Sequence, residues 1–110
     1  MTDSAIERLR ASKDASEREE ITNGRADGRR WAKTKAEYAE LRRLAEFDKD
    51  SVELDPVNAL KNAIDPADEM TSSEVWEYCF GDPEPALSNL WIASFIGGAV
   101  EYFEQVGRQL

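Results

Sequence analysis

Among the side chains that commonly do chemistry, histidine is absent and cysteine occurs once, at Cys79. The commonest general base and the commonest zinc ligand are therefore missing together, and one thiolate cannot build a zinc site. Cys79 lies in the largely apolar run Val75 to Phe80. Such a setting raises a thiol pKa, and no imidazole is present to activate it. Core packing is its expected role. Asp48, Asp50 and Asp55 outline a calcium loop, but Val52 falls on a ligand position and Glu53 stands where the sharp turn needs glycine. Asp65, Asp68 and Glu69 form a looser carboxylate group, read as a solvated helix start. No Walker loop, dinucleotide fingerprint or nucleophile elbow occurs. The chain is thus read as non-enzymatic, with no catalytic, cofactor-binding or metal-binding residue and no cofactor.

One cluster is suited to binding. Arg25, Arg29, Arg30, Lys33 and Lys35 surround Trp31, with Asp27 opposing them. A glycine-containing turn at a helix start, carrying arginines, can hold an anion through its free N–H groups and the helix dipole. Arg29 and Lys33 would share a helix face, and Trp31 would be available to stack on a base. The competing reading, which the sequence favours, packs this basic end against the acidic C-terminal half and puts Trp31 in the core. Arg25, Arg29, Arg30 and Lys33 are the candidate contacts for a partner or anion.

The charge is unevenly divided. Of the net −9, residues 1–46 carry 11 basic and 10 acidic side chains, whereas residues 47–110 carry 3 and 13. A carboxylate-rich half repels phosphates, which weighs against direct nucleic-acid binding. The length of 110 residues suits one domain with one modest core. The first apolar positions, Ala5, Ile6 and Leu9, alternate with Glu7, Arg8 and Arg10, so no secretory leader is expected. The longest apolar stretch, Leu87 to Val100, is too short to span a membrane. With one unpaired cysteine, a cytoplasmic location is expected.

The elements that must position these residues are all helical. Ser4 to Thr22 is rich in helix formers but poor in large apolar side chains, and reads as a marginal helix with Asp14 and Arg18 paired. Asn23-Gly24 and Gly28 predict a turn or disordered joint, because each glycine costs about 1 kcal/mol inside a helix; the alternative, a single long helix through both, is favoured only if another backbone packs closely there. Trp31, Tyr38, Leu41 and Ala45 predict one helix over 29–47, with Glu37, Glu40, Arg42 and Arg43 facing water. A polar connector over 48–53 follows. Asp55-Pro56 opens a short helix, Asp65-Pro66 forces a turn, and Thr71 to Glu74 is a capping box for a helix that Gly81 stops. After the stiff Asp82-Pro83-Glu84-Pro85, a long helix over 86–109 carries an apolar seam, Ile92, Ile96, Ala99, Phe103, Val106 and Leu110. A second stripe includes Leu87, Trp91, Phe95 and Tyr102. A helix apolar on two sides belongs in the middle of a fold. Gly97-Gly98 within it implies close approach of another backbone or a kink.

Arg29-Arg30-Trp31-Ala32 before the Tyr38, Leu41 and Leu44 helix, Phe80-Gly81-Asp82, and Phe95-Ile96-Gly97-Gly98-Ala99-Val100-Glu101 together resemble a pattern in small uncharacterised bacterial helical proteins. The resemblance spans about two thirds of the chain and implies no activity. The expected fold is all-α: a small bundle of about four helices over 25–110, in which 29–47 and 86–109 form the main antiparallel pair. Residues 1–24 are a marginal helix or flexible arm. A protein-interaction or regulatory module with an unknown protein partner is the leading function. A homodimer through the C-terminal helix is an open arrangement. The alternatives are an acidic mimic of nucleic acid that inhibits a basic target, or anion or nucleotide binding by residues 25–35.

Overall fold

Two glycines that a helix ordinarily rejects lie inside the longest helix of the molecule. The computed structural model describes the backbone of residues 2–110 and the side chains from residue 4 onward. Helix α1 runs unbroken over Thr2–Thr34, through Asn23, Gly24 and Gly28. The joint expected at 23–28 is absent, and the reason is the partner helix. The last helix, called α6 from its place in chain order, spans Asn89–Val106. A methyl group built on Gly24 would stand 2.5 Å from the Trp91 carbonyl oxygen, and one on Gly28 would collide with the Phe95 carbonyl. Gly98 of α6 reciprocates, since a side chain there would strike the Arg25 carbonyl. Glycines four apart share one helix face, so Gly24 and Gly28 open a slot in which the two backbones meet. Contact this close also brings Cα–H groups against carbonyl oxygens, worth about 0.5–1 kcal/mol each.

The two helices run in the same direction. Glu20 meets Ser88, Gly24 meets Trp91, Gly28 meets Phe95 and Arg29 meets Gln105, advancing together along both chains. The expected antiparallel pair is 29–47 with 86–109; residues 29–34 belong instead to α1 and run parallel to α6, whereas Tyr38, which opens the next helix, meets Phe103 near the end of α6 at 5.6 Å. Antiparallel neighbours follow from short connections, and here four helices intervene, leaving ample chain to return to the starting end.

Those four are α2 (Tyr38–Glu46), α3 (Lys49–Leu54), α4 (Pro56–Ile64) and α5 (Ser72–Phe80), and a 3-10 turn over Gly107–Gln109 closes the chain. Among the described residues the secondary structure is helical throughout, with no strand, in six α-helices rather than about four. The predicted helix 29–47 is broken at 35–37, where the Tyr78 side chain of α5 reaches the chain. The Trp31 carbonyl accepts the N–H groups of both Lys35 and Ala36, ending α1. The Tyr78 hydroxyl lies 3.1 Å from the Lys35 carbonyl oxygen and donates to Glu40 Oε1 at 2.6 Å. Glu40 also accepts the Glu37 N–H at 2.9 Å, so this buried carboxylate holds the new helix start and the α5 contact at once. Neither Glu40 nor Arg43 faces water as expected, and Arg43 Nε donates to the Ala63 carbonyl at the end of α4, 2.7 Å away. Tyr38 leaves the predicted stripe and is 58 % exposed. The expected connector 48–53 is largely helical, as α3.

The other boundaries follow their sequence signals. Asp55 accepts the Asn58 N–H with Pro56 in the first turn of α4, and Thr71 and Glu74 form a reciprocal capping box on α5. Gly81 ends α5 in the left-handed region at φ 74°, where L side chains are disfavoured. The core gathers Trp31, Leu44, Leu60, Ala63, Val75, Phe95, Ile96 and Ala99 around α6. Ile92, Ile96 and Ala99 of the predicted seam are buried, Phe103 is half-buried and Leu110 is exposed.

The adjacent glycines of α6 make a sharp test. Gly97 has nothing within 4 Å of where its Cβ would stand, whereas Gly98 faces the α1 backbone. Gly97→Ala should raise stability by about 0.5–1 kcal/mol through helix propensity. Gly98→Ala should lower it by about 1–3 kcal/mol through overpacking, as read by chemical denaturation. Equal effects at the two sites would contradict the close crossing.

Candidate interaction surface

The basic cluster divides between two faces of one helix. Arg25 and Arg29 reach across to α6, where Arg25 Nε donates to Glu101 Oε2 at 3.0 Å and Arg29 Nη1 to Glu101 Oε1 at 3.4 Å. Arg29 also donates to Gln105 Oε1, and its guanidinium carbon stands 5.8 Å from the centre of the Tyr102 ring. Arg30 pairs instead with Asp27 at 2.8 Å, and Lys33 is exposed. These residues occupy the last third of a continuous helix, so no glycine turn and no free helix-start N–H groups accompany them. The physical basis for an anion cradle at 25–35 is therefore missing. Trp31 is 3 % exposed and packs against Phe95 at 5.4 Å and Tyr78 at 6.0 Å, which removes it as a stacking platform. Sequence reasoning did not find Glu101 and Gln105 as the partners of these arginines. Their spacing on one face of a predicted helix was the available signal.

The carboxylate group at 65–69 is a structural turn. Asp65 accepts the N–H groups of Glu69 at 3.0 Å and Met70 at 2.7 Å, and Asp68 lies 3.8 Å from Lys61. The two backbone donors, helped by Lys61, outweigh burial and hold the Asp65 carboxyl below its ordinary 3.8. Among the described residues, no group of three or more acidic, cysteine or histidine side chains is placed to hold a metal ion.

Two of the hollows beside α6 have largely aromatic or aliphatic walls. A cleft of about 310 Å³ lies beside Trp31 and is walled by Phe80, Leu87 and Trp91, with the Asp27–Arg30 pair and Lys35 among its lining residues. Cys79 also borders it, but burial, with Glu40 nearby, pushes its thiol up to about 12, so no nucleophile is presented at neutral pH. The second hollow is a groove of about 1080 Å³ between the base of α1, α2–α3 and the outer face of α6. Ile21, Phe47, Val52, Leu90 and Val100 line it, with Lys49, Glu53 and Glu104.

The remaining feature is the outer half of α1. Residues 4–19 are exposed, apart from half-buried Glu17, and include Ile6 at 44 % and Leu9 at 63 % exposure. Packing begins only at Glu20, whose carboxylate accepts the Ser88 hydroxyl at 3.0 Å. The arm accounts for the molecule's 56 Å length against widths of 33 and 24 Å. Its own supports are slight: Lys13 and Glu17 pair at 3.5 Å, and Arg18 donates to the Asp14 carbonyl rather than to its carboxylate. The outer half of the predicted arm is thus a continuous helix exposed to solvent, and the side chains of its first three residues lie outside the described residues. No described helix is long and apolar enough to cross a membrane.

Compared with protein-family models, curated proteins and solved structures, the chain matches none.

Two measurements follow. Folding lowers the Asp65 pKa, so its stabilising effect is complete above 3.8 and is lost as pH falls through the lower folded-state value. Asp65→Asn should therefore lower the melting temperature at neutral pH, and the gap to the parent should narrow in acid. A gap constant with pH contradicts this. Alkylation of Cys79 at pH 8 should be slow in the folded protein and rapid in denaturant; equal rates would place the thiol at the surface.

Proposed function

We propose that the chain is a non-enzymatic protein-interaction or regulatory module of the cytoplasm: a small helical bundle that presents α1 as a docking arm. The observation that carries this reading is the exposure of residues 4–19 along a helix that leaves the body without packing on it. An isolated helix of that length is marginal in water. Ile6 and Leu9, on one side of it, offer the i, i+3 anchors by which helices enter apolar grooves. The partner is a protein rather than a nucleic acid, because the body repels phosphates.

A second reading draws on the carboxylates of residues 48–84, of which all but Asp65 are exposed. They suit an acidic mimic occupying a basic groove. Its binding would weaken steeply with salt, whereas docking through Ile6 and Leu9 would be much less salt-dependent.

Photo-crosslinking in the native cell tests the docking arm. A photoreactive residue at Leu9 should give protein adducts, and one at the exposed Glu77 on α5 should give far fewer. Adducts at Glu77 with none at Leu9 would contradict the reading.

A further inference from the structure

We propose that the cleft beside Trp31 binds a small, flat, uncharged aromatic molecule bearing a carbonyl, and that the Trp31 indole N–H is the donor this carbonyl meets. The site is separate from the docking arm and does not depend on it.

The chain leaves one donor unmet there. Among the described residues, Trp31 Nε1 is the only buried side-chain nitrogen or oxygen with no hydrogen-bond partner. A buried indole N–H ordinarily finds an acceptor, and one left unpaired bears the full loss of its hydration. The core does not supply that acceptor. The ring packs against Phe95 at 5.4 Å and Tyr78 at 6.0 Å, and the Tyr78 hydroxyl is already taken by Glu40 and the Lys35 carbonyl. Trp31 lines this cleft and neither of two other hollows beside α6. The cleft is the side from which an outside acceptor comes.

The walls describe the rest of the ligand. Trp91 stacks on Phe95 at 5.7 Å, and Phe80 stands edge-on to both, at 5.5 and 4.9 Å. Phe80, Leu87 and Trp91 are only half-buried, so they keep apolar surface for a ring to cover. The volume of about 310 Å³ suits one or two fused rings. It lies at the small end of ligand pockets, which run from about 300 to 1,000 Å³. The charges at the rim cancel, Arg30 and Lys35 against Asp27 and Asp82, and Arg30 is already paired with Asp27. Nothing there selects an ion, and a carbonyl is the strong acceptor that a neutral ring carries.

The strap over 82–87, between α5 and α6, provides the way in. Nε1 is sealed from solvent, so the carbonyl reaches it when a wall of the cleft gives. Pro85, Ala86 and Leu87 form one wall, and the hydrogen bond found in the strap stays within it, from the Glu84 N–H to Asp82. Gly81, at its start, is exposed and left-handed at φ 74°, with nothing within 4 Å of where a Cβ would stand. This wall is tied less firmly than the helices around it, and it yields first.

Indole N–H spectra of the isotope-labelled full chain, titrated with coumarin, test the proposal. Coumarin is a flat neutral lactone, and indole serves as the flat control that lacks a carbonyl. Coumarin should move the Trp31 N–H signal downfield and saturably, and indole should not. Ala86→Trp, at an exposed position on the cleft wall, should weaken coumarin binding by about tenfold or more with the melting temperature unchanged. A Trp31 signal that coumarin leaves in place up to millimolar concentration overturns the proposal. So does an equal shift with indole, or an affinity indifferent to Ala86→Trp.

Discussion

The architecture depends on one close approach, the crossing of α1 and α6 at Gly24, Gly28 and Gly98. Each glycine costs its helix about 1 kcal/mol relative to alanine. The gain is a separation at which the two backbones touch, so that Trp31 of α1 and Phe95 of α6 come together in the core. The Arg25 and Arg29 guanidiniums then reach Glu101 on the outer side of the same crossing. A wider separation would leave both sets of contacts unmade.

The crossing also fixes what lies at a distance from it. Since α1 is gripped only from Glu20 onward, its direction there sets the direction of the whole projecting arm, with no joint to absorb a change. Because α6 uses one face for α1 and another for α2 and α4, the face bearing Gly97 is left as a groove. The body thus has a buried polar latch on one side, Tyr78 with Glu40, and an unfilled apolar channel on the other. The latch is costly to build and well satisfied, the pattern of a buried polar group retained to place one helix end against another.

Much of this was legible in the residues. The apolar faces of α6, the Asp55-Pro56 start, the Thr71 to Glu74 capping box and the Gly81 stop are local signals, and the chain obeys them. At the glycines of α1 a propensity argument favours a joint, and the alternative of a continuous helix, conditional on another backbone packing closely, is the one the chain adopts. Here tertiary contact overrides propensity, and the four-residue spacing of Gly24 and Gly28, together with Gly98, is the signal that decides between the two. The break at 35–37 has no glycine or proline to announce it. A local capping box between Glu37 and Glu40 marks the new start, and Tyr78, some forty residues away, adds its hydroxyl to the same carboxylate. The parallel sense of α1 and α6 was out of reach. For the surface, the exposed arm was readable from its thin apolar stripe, and the arginines were readable as a cluster. Their division between Glu101 and Asp27 depends on the helix phase through residues 24–28, the stretch where the local reading failed.

Nuclear Overhauser contacts of the glycine Hα protons test the crossing most directly. The account predicts sequential helical contacts unbroken from Ile21 to Thr34, together with Gly28 Hα contacts to Phe95 and Gly98 Hα contacts to Arg25. Loss of the helical pattern at residues 23–28, with no contact between those glycines and the opposite helix, would contradict it.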